Sequence, residues 1–140
     1  MYKTIAITFI ALFAVLAAAC GSGAGTMGAG KTIKSGPVGS LNVSLANSDG
    51  VLKKGKQDLT VTFADASGKP VDVGSAAVNF FMPAMGSMSA MNNPATLTTT
   101  GTPGIYIANV DIEMVGEWQA QITFDGPAGK GKGSIAVTAQ

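Results

Sequence analysis

The chain has no histidine and no arginine, and Cys20 is the single cysteine among its 140 residues. These absences remove most of the side chains that enzymes use as general bases, nucleophiles or oxyanion-binding groups, so we expect no catalytic activity. The usual ligands of zinc are also missing. The chain has nine basic residues, all lysine, and eight acidic residues. Because this balance creates no strong positive field, nucleic acid is not an expected partner.

The first twenty residues have the layout of an export signal. Lys3 provides a positive charge, and residues 5–19 are apolar apart from Thr8. This run is shorter than the roughly 20 residues that a membrane-spanning helix needs. The stretch Leu-Ala-Ala-Ala-Cys-Gly at 16–21 resembles a bacterial lipobox, although its leucine precedes Cys20 by four residues rather than three. The hypothesis is that residues 1–19 are a removed signal peptide and that Cys20 is lipidated. Ordinary cleavage after Ala19, leaving a free or disulfide-bonded cysteine, is the alternative.

A lipid on Cys20 would anchor the protein to a membrane of the cell envelope. Gly21 stands where an aspartate would favour retention in the inner membrane, so a Gram-negative host would carry the protein on its outer membrane, facing the periplasm. Residues 20–38 are rich in Gly and Ser, which is typical of a flexible linker. Residues 39–140 remain for one domain.

Short alternating segments rich in Val, Ile, Phe and Thr recur between residues 39 and 138, separated by Gly, Pro, Asn or Asp. In residues 106–112 and 118–124 every even position is apolar and the odd positions are polar apart from Ile107, which is typical of antiparallel strands with one buried face. The predicted strands span residues 41–45, 59–63, 77–82, 95–99, 106–112, 118–124 and 134–138. Short strands of this number in roughly 100 residues predict an all-β fold, an immunoglobulin-like antiparallel β-sandwich of about seven strands.

The most unusual feature is a run in which Met82, Met85, Met88 and Met91 recur at a spacing of three. A thioether is a soft ligand that prefers Cu(I) and needs no deprotonation to bind it. Pro83 favours an extended Met82, and a polyproline II segment with three residues per turn would align the four sulfurs along one edge. These residues are therefore candidate Cu(I) ligands.

Strand parity adds Met114 to the candidate site. With seven strands running alternately up and down, the methionine run follows the third strand and Met114 follows the fifth, so both should meet at one end of the sandwich. Lys53, Lys54 and Lys56 follow the first strand and belong to the same end. By the same count the N-terminal side of the domain lies at the other end, so the anchor and the methionines would face away from each other.

Other interpretations of these residues stay open. Met82 and Met114 border strands and could fill core space. The exposed methionines could form a docking surface for another protein, or act as a sink for oxidants. Trp118 could stack on a soft cation or pack in the core, and Glu117 could supply an oxygen ligand to Cu(II) or simply be solvated.

Several short motifs of the chain resemble the YtkA-like (FixH-related) domain family. They are Asp-Gly at 49–50, Leu-Thr-Val at 59–61, Gly-Lys-Pro-Val at 68–71, Met-Pro-Ala-Met at 82–85, Pro-Gly-Ile-Tyr at 103–106 and Met-Val-Gly-Glu-Trp at 114–118. The resemblance implies a small extracytoplasmic β-sandwich associated with copper handling, and hence a protein partner in that process. The absence of histidine near the methionines favours Cu(I) over Cu(II).

Together these observations predict a membrane-tethered Cu(I)-binding module that buffers copper or passes it to a partner. The alternative is an interaction module of the envelope that uses the same methionines without metal.

Overall fold

The computed structural model describes residues 30–140. The predicted signal peptide and the predicted lipidation site at Cys20 lie outside the described residues. Within residues 30–140, no helix is long and apolar enough to cross a membrane.

Nine antiparallel strands within residues 30–140 form two sheets. The strands are β1 (Lys31–Val38), β2 (Leu41–Asn47), β3 (Gly55–Ala64), β4 (Ser75–Met82), β5 (Met91–Pro94), β6 (Thr96–Thr99), β7 (Ile105–Ile112), β8 (Gly116–Gly126) and β9 (Gly129–Ala139). One sheet has the order β1-β2-β3-β7-β6 and the other has the order β5-β4-β8-β9. The prediction of an all-β antiparallel sandwich is confirmed, with nine strands instead of about seven.

The core lies between the two sheets and follows the predicted alternation. In β8, Trp118, Ala120, Ile122 and Phe124 are buried, and the polar residues between them are exposed. The even positions of β7 are buried in the same way. Burying one apolar row from each sheet removes these side chains from water, which is the main force that holds such a sandwich together.

Each of the seven predicted strands corresponds to an observed one, and β1 and β5 are additional. β1 occupies residues that the sequence interpretation assigned to the flexible linker, so the ordered domain begins before residue 39. Val38 is its only fully buried residue. A strand exposed on most of its length leaves no alternation in the sequence.

Four strand pairs meet at one end of the sandwich, which we call the methionine end. The residues that face each other there are Lys31 and Asn47, Gly55 and Ile112, Met82 and Met91, and Gly116 and Ala139. The connection of residues 48–54, with Lys53 and Lys54, lies at this end as predicted. The opposite end, which we call the far end, holds the turns near Gly39, Gly74 and Gly104.

The presence of β1 reverses the direction in which the chain enters the domain. Since β1 is antiparallel to β2 and pairs Lys31 with Asn47, its first residue lies at the methionine end. The prediction that the N-terminal side of the domain lies opposite the methionines is therefore wrong. Because the prediction missed β1, it placed the start of the domain at the wrong end of the sandwich.

Candidate functional site

The methionine run forms a β-hairpin, the methionine hairpin, which comprises residues 82–91. Met82, at the end of β4, faces Met91, at the start of β5, and nearer the tip Met85 faces Met88. Met85 and Met88 exchange two backbone hydrogen bonds of 3.1 and 2.9 Å. The four methionines thus form two pairs across the hairpin. The Cβ atoms of residues that face each other in antiparallel strands lie about 5 Å apart.

The chain reverses at Gly86 and Ser87, between Met85 and Met88. Gly86 has a φ of 57°, and no residue other than glycine among those described has a positive φ. A two-residue hairpin with glycine at its first central position is the type II′ turn, whose twist matches that of paired strands. The expected polyproline II edge is wrong, because the sulfurs are carried on two strands instead of along one.

The two pairs differ in their exposure to solvent. Met82 is 1% exposed and belongs to the core, and Met91 is half-buried against it. Met85 and Met88 are 52% and 39% exposed. The hairpin therefore carries one pair of thioethers at the margin of the core and a second pair that another molecule can reach.

Met114 lies at the same end of the sandwich, in the connection between β7 and β8, and it packs half-buried against the core. Its carbonyl oxygen accepts a hydrogen bond of 2.9 Å from the indole Nε1 of Trp118. Two residues further on, a Cβ placed on Gly116 would lie 3.2 Å from Cε of Met82. Met82 thus packs against the start of β8, and parity correctly brought the hairpin and Met114 to one end.

The two residues proposed to support the site lie on opposite faces of β8. Trp118 is 1% exposed within the core, and its N–H is used to hold the Met114 connection. Glu117 projects from the outer face, where its Oε1 accepts a hydrogen bond of 2.7 Å from Thr138 Oγ1. Because Met82 projects into the core, Glu117 points away from it.

Asn93 is a buried polar residue at this end that no sequence signal marked. It is 8% exposed, and its Nδ2 donates a hydrogen bond of 2.6 Å to the carbonyl of Asp111. Its Oδ1 is buried without a hydrogen-bond partner among residues 30–140. Only the amide nitrogen can donate to a carbonyl, so this orientation of the side chain is fixed by chemistry. The bond ties β5 to the strand that leads into Met114.

Within the described residues, no three His, Cys, Asp or Glu side chains are grouped so that they could hold a metal ion.

The sequence profile of the YtkA-like family matches residues 37–123. The chain belongs to the YtkA-like family. No curated protein and no solved structure shows a significant match to it.

The range matched to the YtkA-like family begins in β1 and ends within β8. It includes the methionine hairpin, Met114 and Trp118, and it confirms the family assignment made from the short motifs. Strand β9 lies beyond it. The features that distinguish the methionine end therefore belong to the YtkA-like domain itself.

Proposed function

We propose that this YtkA-like protein is a membrane-tethered protein of the cell envelope that binds Cu(I) and holds it for buffering, efflux or delivery to a protein partner. The ligands are thioethers of Met82, Met85, Met88, Met91 and Met114. Copper is the cargo, and no chemical conversion is involved.

The observation that carries the proposal is the register of the methionine hairpin. It pairs the four methionines two by two, and Met82 of the hairpin packs against Gly116, where the connection that carries Met114 ends. Soft sulfur donors favour Cu(I), and the hairpin brings four of them to the end of the sandwich that also carries Met114. Exposed Met85 and Met88 supply the ligands that a partner protein can replace one at a time.

A Cu(I) competition titration against a chromogenic chelator tests the proposal. The soluble form without residues 1–20 is compared with a variant carrying Met85→Ser, Met88→Ser, Met82→Leu, Met91→Leu and Met114→Leu. Leucine is used at buried positions because volume-conserving swaps cost less than about 1.5 kcal/mol. We expect the variant to compete at least about tenfold more weakly, which corresponds to a loss of about 1.4 kcal/mol of binding free energy.

The matched control for that titration is Met27→Leu, which removes a methionine outside the proposed site. It should compete as the wild type does. Circular dichroism should show that all three proteins are folded. Equal competition by the wild type and the five-residue variant would contradict the copper proposal.

Binding through thioethers should depend little on pH. A thioether carries no proton that must leave before it binds a metal, whereas carboxylate ligands are lost as they protonate. We expect the Cu(I) affinity at pH 5 to stay within about threefold of that at pH 7.5. The measurement is the same titration, with the chelator constant corrected at each pH. A steep loss of affinity between pH 7.5 and pH 5 would contradict binding through thioethers alone.

A metal-free docking role is the second candidate, and the exposure of Met85 and Met88 favours it. Flexible methionine side chains adapt to varied apolar partners. The two proposals differ in one respect: docking should survive Met85→Leu and Met88→Leu, which keep the apolar surface, while Cu(I) binding at these positions should not.

A further inference from the structure

The large apolar side chains that are exposed among residues 30–140 are Met85, Met88 and Val115. All three lie at the methionine end: the first two flank the hairpin tip, and Val115 follows Met114 in the connection to β8. Exposed apolar groups scattered over a surface need no explanation, but their confinement to one end of a domain indicates a contact surface.

The chain also enters the domain at this end, through Lys31. Cys20, the predicted site of the lipid, is eleven residues earlier. Whatever path these residues take, they span at most about 40 Å. A bilayer holding a lipid on Cys20 would therefore lie within about 40 Å of Lys31, at the end of the sandwich that carries Met85, Met88 and Val115.

Charge at the methionine end is balanced. Lys31, Lys53, Lys54 and Lys56 lie there with Asp49, Asp111, Glu113 and Glu117. Lys53 is paired with Asp49 at 2.6 Å, and the hydrogen bond and charge of that lysine lower the pKa of the carboxyl. Because no net charge of one sign accumulates, attraction to this surface must come from its apolar groups and from the tether, with lysine stems lying along it.

We infer that the methionine end of the sandwich rests on the phospholipid surface to which Cys20 tethers it, with Met85, Met88 and Val115 in the interfacial layer. The inference rests on the predicted lipid anchor and not on copper. A weak apolar contact suffices, because a short tether replaces a bimolecular encounter by an intramolecular one at high effective concentration. A partner that exchanges copper with the hairpin would then present its own site at the bilayer surface.

The test uses Cys20, the only cysteine of the chain, to attach the protein to vesicles in the absence of metal. The chain that begins at Cys20 is coupled to a maleimide phospholipid in phosphatidylcholine vesicles, and its lysines are acetylated and quantified by mass spectrometry. Lys31, Lys53 and Lys54 report on the methionine end, and Lys69 and Lys130 report on the far end. The reference is the same protein free in solution with the Cys20 thiol blocked. We expect acetylation of the first group to be at least about threefold slower on the vesicles than in solution, and acetylation of the second group to be unchanged.

Two variants serve as controls. In the first, Cys20→Ser is combined with Ser67→Cys, which moves the tether to the exposed turn after β3 at the far end, so the protection of Lys31, Lys53 and Lys54 should disappear. The second, Val115→Ser, removes an apolar side chain that is not a proposed copper ligand, and it should reduce the protection.

Three outcomes would overturn the inference. One is the same change in acetylation rate, relative to the protein in solution, for both lysine groups on the vesicles, and another is equal protection of Lys31, Lys53 and Lys54 from either tether position. The third is protection that is absent from protein-free vesicles but present in native membrane vesicles, which would assign the surface to a membrane protein. None of these results depends on whether Cu(I) binds.

Discussion

Replacing Gly104 by alanine is expected to destabilise the domain by about 3 kcal/mol or more, a loss equivalent to a fall of roughly 10–20 °C in Tm. Gly104 is buried and has a φ of 82°, a left-handed conformation that disfavours a side chain. A Cβ there would lie 2.3 Å from the carbonyl oxygen and 2.8 Å from the nitrogen of Val71. Both obstacles are backbone atoms, so no side-chain rotation relieves them.

The position of Gly104 in the fold adds to the expected loss. Its carbonyl accepts a hydrogen bond of 2.8 Å from the Phe63 amide, and the Val71 amide donates one of 2.9 Å to the Phe63 carbonyl. Moving Gly104 away from Val71 would disturb both bonds. The measurement is urea unfolding followed by far-ultraviolet circular dichroism, which gives the free energy of unfolding.

Two other glycines separate the causes of this loss. Gly129→Ala tests the backbone conformation alone, because Gly129 has a φ of 101° and nothing lies within 4 Å of an added Cβ. It should cost about 1–2 kcal/mol. Gly101 has neither constraint, so Gly101→Ala should range from no change to a gain of about 1 kcal/mol. Similar losses at positions 104 and 101 would contradict the close-packing argument.

The sandwich could be predicted because its central strands bury one face and expose the other. Strands β7 and β8 illustrate this, since every residue predicted to face the core in 106–112 and 118–124 is buried. Apolar and polar residues alternate along the sequence wherever a strand has one face on the core and the other in solvent.

The two missed strands lack that contrast. β1 is exposed over most of its length, and β5 has only four residues, of which Asn93 is the buried one. Asn93 is held by a hydrogen bond to Asp111, eighteen residues further along the chain, and the sequence gives no sign of this contact. Both strands are fixed by pairing with a neighbour, β1 with β2 and β5 with β4, which only the folded chain brings together.

The residues of the methionine end were found from their chemistry and strand parity, but their arrangement was not. A spacing of three suited a polyproline II segment, yet the turn at Gly86 makes Met85 and Met88 partners. The direction of the N-terminal strand depended on counting every strand, and β1 gave no signal. Local composition thus identified which residues gather, and the pairing of strands decided how they face.

Trp118→Ala is expected to cost about 3–5 kcal/mol, because the indole is the largest fully buried side chain of the core. Trp118→Phe keeps most of the apolar volume but removes the N–H that binds the Met114 carbonyl. It should cost only about 1–2 kcal/mol, of which the lost hydrogen bond accounts for about 1 kcal/mol. Trp118 is the only tryptophan of the chain, so unfolding must be followed by circular dichroism.

The Trp118→Phe variant tests whether Trp118 only fills the core or also positions Met114. If the indole N–H holds the connection between β7 and β8, hydrogen exchange at the amides of Met114 and Val115 should accelerate in this variant more than exchange in the centre of β8. Phe124→Leu is the matched control, because Phe124 lies on the same face of β8 toward the far end. It should destabilise the domain without a selective effect on the Met114 connection. Equal acceleration of hydrogen exchange at Met114 and Val115 in the two variants would show that Trp118 only fills the core. Met114 would then be positioned by packing and not by the indole N–H.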